Sequence, residues 1–86
     1  MEGHLQRTLG RNVRAIRIAR GYSQEAFADA LGHHRTYQGS LERGQRNLSL
    51  RAVERLAEQL GVEALTLLSE DMEIDVDVRV RDGRSR

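Results

Sequence analysis

The chain contains no cysteine, no proline and no long apolar run among its 86 residues. Without cysteine it can build neither a disulfide framework nor a thiolate zinc site. No stretch approaches the roughly 20 apolar residues of a membrane span, and the N-terminus lacks the apolar core of a signal peptide. We therefore expect a cytoplasmic protein without a membrane partner.

The chain is also short and poor in the usual signatures of an enzyme. Its length suits one small domain, which leaves little room for a substrate cleft of about 300 Å³. No nucleophile elbow, phosphate loop or metal triad is present. Histidine occurs only at positions 4, 33 and 34, a poor ligand supply for a metal. We expect no catalysis, no metal and no cofactor.

Charge is distributed unevenly, although the net charge is only +1. Residues 1–20 hold five arginines against one glutamate, a net +4, and residues 35–51 hold four against one, a net +3. Residues 52–71 hold five acidic residues against one arginine, a net −4. A basic surface and a separate acidic surface are therefore predicted.

Apolar positions spaced three or four residues apart predict five helices. The first ends near Arg20-Gly21, and Ser23 and Ser49 are predicted to cap the second and fourth. The third is expected over 35–43 and the fifth over 63–69. The predicted apolar positions are, in order, Leu5, Leu9, Val13 and Ile16; Ala26, Phe27, Ala30 and Leu31; Tyr37 and Leu41; Leu50, Val53, Leu56, Ala57 and Leu60; Leu65 and Leu68.

The period changes after residue 72. Apolar and charged residues alternate strictly over 73–81, which predicts a strand with one apolar face. No second strand pattern occurs in the chain, so a partner strand would have to come from another copy, or the segment is disordered. The predicted organisation is a helical domain over 1–71, a dimerisation strand over 72–82 and a flexible tail over 83–86.

Residues 23–43 have the length and the helix start and stop signals of a helix-turn-helix, in which two short helices flank a glycine-containing turn. With Tyr37 and Leu41 turned inward, the second helix is predicted to expose guanidinium and hydroxyl groups and a glycine, at Arg35, Thr36, Gly39, Ser40 and Arg43. Arginine can fork onto guanine, and hydroxyls can bond base edges or phosphates. The pattern favours binding to double-stranded DNA.

Three segments, SQEAFADALG, RTYQGSLERGQRNLSL and VERLAEQLGV, resemble the bacterial lambda-repressor-like helix-turn-helix family, also called the Cro/C1 or XRE type. The resemblance is greatest to controller proteins of restriction-modification systems. It covers residues 5–68. It implies an all-α, five-helix DNA-binding domain and a transcription regulator or repressor as the function. The C-terminal strand, which the alternating pattern predicts and which is expected to pair across a dimer, lies outside the resemblance.

The resemblance also implies roles for individual residues. The start of the recognition helix and its next turn match base-reading positions: Arg35, Thr36, Tyr37, Ser40 and Arg43. The start of the preceding helix and the loop after the recognition helix match phosphate-binding positions: Ser23, Gln24, Arg46 and Asn47. Glu42 matches a position that can pair with an arginine of the first helix. His33 and Gln38 stand where the family has apolar residues, and the sequence leaves open whether Gln38 lies in the core or faces DNA.

A homodimer on an inverted-repeat operator would place two recognition helices about 34 Å apart. In a two-fold ribbon centred on Val78, Asp77 faces Arg79, Asp75 faces Arg81 and Val76 faces Val80 of the other copy, so opposite charges meet. The predicted dimer contacts are Leu65, Leu68, Met72, Ile74, Val76, Val78 and Val80.

One alternative function belongs to another class of protein. An antitoxin of the same fold would dock a toxin and regulate its own operon. The sequence does not separate this possibility from a simple regulator, and it leaves open the operator sequence, activation or repression, and any contact with RNA polymerase.

Overall fold

The computed structural model describes residues 3–74 and 80–81. Within them it contains five helices, as predicted, followed by two very short strands. The elements are α1 (His4–Ala19), α2 (Gln24–Leu31), α3 (Arg35–Glu42), α4 (Leu50–Leu60), α5 (Ala64–Leu67), β1 (Glu73–Ile74) and β2 (Val80–Arg81). The fifth helix is shorter than expected, a single turn.

The helix ends form where local chemistry favours them. Ser23 and Ser49 are confirmed as N-caps, since each hydroxyl accepts from the backbone N–H three residues later, at 3.0 Å. Gly32 ends α2 in the left-handed region, with φ 74°, where a side chain would be strained. The N–H of His33 then donates to the carbonyl of Ala28 at 2.8 Å, as in a Schellman motif. These caps set the length of each helix.

The core lies between the helices and is made almost entirely of aliphatic side chains. Tyr37, Leu48, Leu68 and Met72 pack against its edge. The buried cluster consists of Leu9, Val13, Ile16, Phe27, Leu31, Leu41, Val53, Leu56, Ala57, Leu60, Val62 and Leu67. Leu67, on the short α5, is fully buried and anchors that helix to the rest of the domain.

Several positions predicted as apolar contacts lie on the surface instead. Ala26 and Ala30 are exposed, and Ala28 is buried beside Phe27. Leu5 is 57% exposed and Leu50 is 79% exposed. Both leucines lie in the first turn of a helix, where the apolar spacing continues but the side chains remain exposed.

Side chains from neighbouring helices close the carboxyl ends of three helices. Asn12 Nδ2 donates to the carbonyls of Leu67 and Ser69, each at 2.8 Å. The guanidinium of Arg20 donates to the carbonyl of Leu60 at 2.8 Å, and the amide of Gln59 donates to that of Leu31 at 3.1 Å. The last carbonyls of a helix lack partners within it, so these bonds fix the positions of helices relative to one another.

The two strands pair with each other, which differs from the expected single strand. Glu73 lies opposite Arg81 and Ile74 opposite Val80, in antiparallel register. The inference that only a second copy could supply the partner is therefore wrong for these four residues. An alternating pattern has the same period in one continuous strand and in two paired strands, so periodicity alone does not distinguish them.

The remaining predictions for this region lie outside the described residues. They are the ribbon register centred on Val78, the contacts of Val76 and the valine face, and the tail over 83–86. Pairing of this segment with a second copy stays a prediction. No helix within residues 3–74 is long and apolar enough to cross a membrane.

Candidate nucleic-acid interface

The helix-turn-helix corner is formed by α2, the turn over residues 32–34, and α3. His34 caps α3, because its Nδ1 accepts from the backbone N–H of Thr36 at 3.1 Å. The carboxyl end of α3 is closed by Gly44, with φ 75°, and by the N–H of Gln45 donating to the carbonyl of Ser40 at 2.9 Å. The predicted recognition helix is thus bounded at both ends by hydrogen bonds.

A buried carboxylate, Glu42, fastens the inner face of α3. Arg17 of α1 donates to both of its oxygens, from Nε at 2.8 Å and from an NH2 group at 3.1 Å. The amides of Gln24 and Gln38 donate to the same carboxylate at 3.1 and 2.9 Å. The predicted pairing of Glu42 with an arginine of the first helix is confirmed, and the carboxylate ties α1, α2 and α3 together.

The environment of Glu42 favours its charged form. Burial acts to raise the pKa of the carboxyl, but hydrogen bonds from Arg17, Gln38 and Gln24 and the charge of Arg17 outweigh it. The pKa therefore lies below its ordinary value of 4.5. A buried charge is tolerated when it is paired and hydrogen-bonded, so the network stays intact at neutral pH.

Gln38 lies in the core and does not face outward. Its side chain is fully buried; its amide nitrogen donates to Glu42, and its amide oxygen accepts from Nδ1 of His33 at 2.9 Å. This answers the question about His33 and Gln38, which stand where the family has apolar residues. The two polar side chains replace an apolar pair, and they hydrogen-bond each other and, through Gln38, Glu42. The spacing of Gln38 and Glu42, four residues apart on a helix, is a signal that sequence reasoning passed over.

Three of the five residues predicted on the outer face of α3 are exposed: Arg35, Thr36 and Arg43. Arg35 lies 3.3 Å from a carboxylate oxygen of Glu25, in an ion pair that is about two-thirds exposed on both sides. Such surface pairs contribute little, so the guanidinium can exchange one acceptor for another. Arg43 Nε donates to the Gln45 amide at 3.2 Å.

Gly39 and Ser40 are buried, so the prediction that they belong to the exposed face is wrong. Ser40 is 9% exposed, and its hydroxyl donates to the carbonyl of Tyr37 at 2.9 Å while accepting from Nε of Arg46 at 2.7 Å. The guanidinium of Arg46 lies over the ring of Tyr37, 4.8 Å from its centroid. Tyr37 itself is half-buried and meets His33 edge-on, with 4.9 Å between ring centroids.

The predicted phosphate-binding residues lie at the borders of α3. Ser23 is exposed at the start of α2, and Asn47 is exposed in the loop before α4. Gln24 is half-buried and supports the recognition helix through its hydrogen bond to Glu42. Phosphate binding by these residues, and by Arg46, stays a prediction.

Other kinds of site find no support in the described part of the chain. Among residues 3–74 and 80–81, no three histidine or acidic side chains lie close enough to share a metal ion. The predicted dimer contacts divide into a strongly exposed Leu65, at 82%, and half-buried Leu68 and Met72. The side chains of the remaining predicted dimer contacts, Ile74, Val76, Val78 and Val80, lie outside what the structure describes.

Comparison with known proteins identifies this arrangement. A model of a helix-turn-helix family matches residues 13–67, a span that contains α2, α3, α4 and α5 in full. The chain belongs to the helix-turn-helix family of the Cro/C1 type. The match includes the capped corner, the Glu42 network and the loop that carries Arg46. Members of this family are transcription regulators and not enzymes.

Individual relatives are similar over most of this chain. A hypothetical transcription factor of Neisseria meningitidis is 40% identical over 67 residues, which are 78% of this chain and 63% of that protein. Control protein C.BamHI of Bacillus amyloliquefaciens is 39% identical over 79% of this chain and 85% of its own length. The solved structure of the restriction-modification controller protein C.AhdI from Aeromonas hydrophila superposes with a TM-score of 0.61 at 41% identity, over 74% of this chain and 96% of that one.

Proposed function

We propose that the chain is a sequence-specific regulator of transcription that binds double-stranded DNA as a homodimer. The observation that carries this proposal is the asymmetry of α3. Its inner face is fastened by the Glu42 network, while Arg35 and Thr36 stand exposed at its amino end. A recognition helix enters the major groove with its amino-terminal residues toward the base edges, so the exposed residues are where base contacts are made.

The position of each residue on or beside α3 determines whether it contacts bases or phosphates. The exposed residues of α3 and its C-cap, Arg35, Thr36 and Arg43, read bases, and Tyr37 contributes through its exposed edge. Ser23, Gln24, Arg46 and Asn47 surround the helix and bind phosphates. Base contacts specify and phosphate contacts position the protein, so both groups are needed for selective binding.

Dimerisation supplies the symmetry of the operator. Leu65 is the most exposed of the large apolar side chains described, and an unpaired leucine on a short helix beside half-buried Leu68 and Met72 suits a self-complementary contact. The C-terminal segment, with Ile74, Val76, Val78 and Val80, reinforces this contact. Because β1 and β2 pair within the chain, we assign α5 the leading part.

The regulator is favoured over the toxin-docking alternative. The relatives compared above are named as control proteins or a transcription factor, and no observation on this chain points to a toxin. A protein that binds chromosomal operators would work in the cytoplasm, at the nucleoid. Whether it activates or represses depends on where the operator lies.

Selection of binding sites from a random duplex library tests the proposal. The wild-type chain should recover symmetric half-sites whose centres are about 34 Å apart, one turn of DNA. A matched selection with the Arg35→Ala variant should recover the same symmetry with one base pair less defined in each half-site. A footprint without symmetry or sequence preference from the wild-type chain would refute the proposal.

A further inference from the structure

The hydroxyl of Ser40 is placed to hold an arginine and not to read a base. Its Oγ lies between the carbonyl of Tyr37, to which it donates at 2.9 Å, and Nε of Arg46, from which it accepts at 2.7 Å. With 9% exposure, and with its single proton committed to a carbonyl, this hydroxyl offers little to a base edge.

Arg46 is held from two further directions. Its guanidinium lies over the Tyr37 ring at 4.8 Å, within the range of a cation–π contact. The loop that carries it begins with Gly44, and the N–H of Gln45 donates to the carbonyl of Ser40. Both the backbone carbonyl and the hydroxyl of Ser40 thus anchor this loop.

We propose that Tyr37 and Ser40 form a clamp that fixes Arg46 in its phosphate-binding position before DNA arrives. Ser40 is then a positioning residue and not a base reader. The inference rests on the proposed function, because it concerns how that site binds its backbone phosphates.

The physical reason is the loss of side-chain freedom on binding. A free arginine on a loop loses rotamers when it grips a phosphate, and this ordering weakens association. The clamp orders Arg46 during folding instead. The hydrogen bond uses Nε and engages neither terminal amino group, and those groups are the ones that can bind a phosphate in a fork.

The clamp can be tested first without DNA. In the free wild-type protein, the Nε proton of Arg46 should give a resolved NMR signal that exchanges slowly with water. Ser40→Ala should remove that protection. Thr36→Ala, which deletes a hydroxyl from the exposed face of the same helix, should leave it unchanged.

The second test uses an operator obtained by selection and a double-mutant cycle. Ser40→Ala should weaken binding roughly threefold to tenfold for all operator variants alike, and should have no further effect in an Arg46→Ala background. Thr36→Ala should change the preference at a base pair. Arg46→Lys leaves the sequence of α3 unaltered and keeps the positive charge. It should still weaken binding, because lysine lacks the planar guanidinium. This variant is the test to use if Ser40→Ala fails to fold.

Four results would overturn the clamp: an Arg46 signal that Ser40→Ala leaves protected, a changed base preference for Ser40→Ala, additive effects of Ser40→Ala and Arg46→Ala, or full affinity of Arg46→Lys. If the wild-type chain binds no DNA, the regulator proposal itself fails, while the NMR comparison still decides whether Ser40 holds Arg46.

Discussion

At the scale of single residues, replacing Arg35 and replacing Arg46 are expected to impair DNA binding in different ways. Arg35→Ala should cost about 1–3 kcal/mol of binding free energy and relax the preference at one base pair, because an arginine fork on guanine carries sequence information. Arg46→Ala should weaken all sequences alike and reduce the salt dependence by about one unit of slope, because it removes one phosphate contact. Titrations over an operator library at several salt concentrations measure both. Identical profiles for the two variants would contradict this division.

Glu42 gives a prediction about stability and pH. Its folded pKa is lowered, so the stability it contributes is present above its unfolded pKa and is lost as pH falls through the folded pKa. Glu42→Gln leaves the Arg17 charge buried without a counterion and should lower the free energy of unfolding by about 3 kcal/mol near neutral pH. The difference between the two proteins should shrink as pH falls below 4.5, the ordinary value for this carboxyl.

Urea unfolding of both proteins across that pH range tests the prediction. Glu54→Gln is the matched control, because Glu54 is exposed on α4 and its replacement should have little effect at any pH. A constant difference between wild type and Glu42→Gln from neutral to acidic pH would show that the carboxylate does not provide this stabilisation.

Residue types identified the exposed arginines but not the buried polar groups. Arg35 and Arg43 are exposed as predicted, since a guanidinium seldom lies in a core. A serine suits either environment, so the position of Ser40 depends on tertiary contacts with Tyr37 and Arg46 that no local pattern encodes. Gln38 is buried because Glu42 and His33 satisfy it, and those partners are known only once the helices are packed.

At the scale of elements, caps were predictable and helix faces less so. Ser23 and Ser49 act within three residues of themselves, and such local chemistry can be read from sequence. In α2 the alanines at 26, 28 and 30 are equally apolar, so alanine content cannot say which one is buried. The pair Phe27 and Leu31, one turn apart, defines the inner face and places Ala28 on it.

The packing of α1 on α3 depends on Gly10. A methyl group at this position would lie 2.4 Å from the carbonyl oxygen of Leu41 and 2.7 Å from that of Glu42, so the two backbones would have to separate. Alanine favours a helix by up to about 1 kcal/mol over glycine, but overpacking costs about 1–3 kcal/mol or more. Gly10→Ala should therefore lower the free energy of unfolding, and it should weaken operator binding by displacing α3.

Gly39→Ala provides a matched control on α3. Its new methyl group would meet only side-chain atoms within 3.4 Å, of Arg43 at 3.2 Å and Gln24 at 3.3 Å, and the ends of side chains can move. Chemical denaturation should show a much smaller loss for Gly39→Ala than for Gly10→Ala. A Gly10→Ala protein as stable as the wild type would mean that the helices do not approach this closely.

At the scale of the whole molecule, operator binding should depend on dimerisation. Leu65 is 82% exposed, so Leu65→Gln should leave the subunit fold unchanged. A two-fold contact contains two copies of Leu65, one from each subunit. At roughly 1.5 kcal/mol per buried leucine the loss is about 3 kcal/mol, or roughly a hundredfold in the dimer dissociation constant. Sedimentation should show that the variant shifts to monomer. Operator titration should show weaker binding, with an occupancy that rises more steeply with protein concentration than for the wild type. Ile18→Gln is the control, because Ile18 is also exposed, at 52%, but lies on α1.

Truncation after Asp71 then separates α5 from the segment that follows it. The truncated chain keeps α5 but loses Met72, β1 and β2, so it should dimerise more weakly than the full chain if the C-terminal segment reinforces the contact. Circular dichroism on the same samples checks that the helices remain, because β1 also packs against α1. If truncation leaves both dimerisation and operator affinity unchanged while Leu65→Gln abolishes them, α5 alone holds the two recognition helices one turn of DNA apart. If Leu65→Gln has no effect and truncation does, the dimer is formed by the C-terminal segment, and the exposure of Leu65 has another cause.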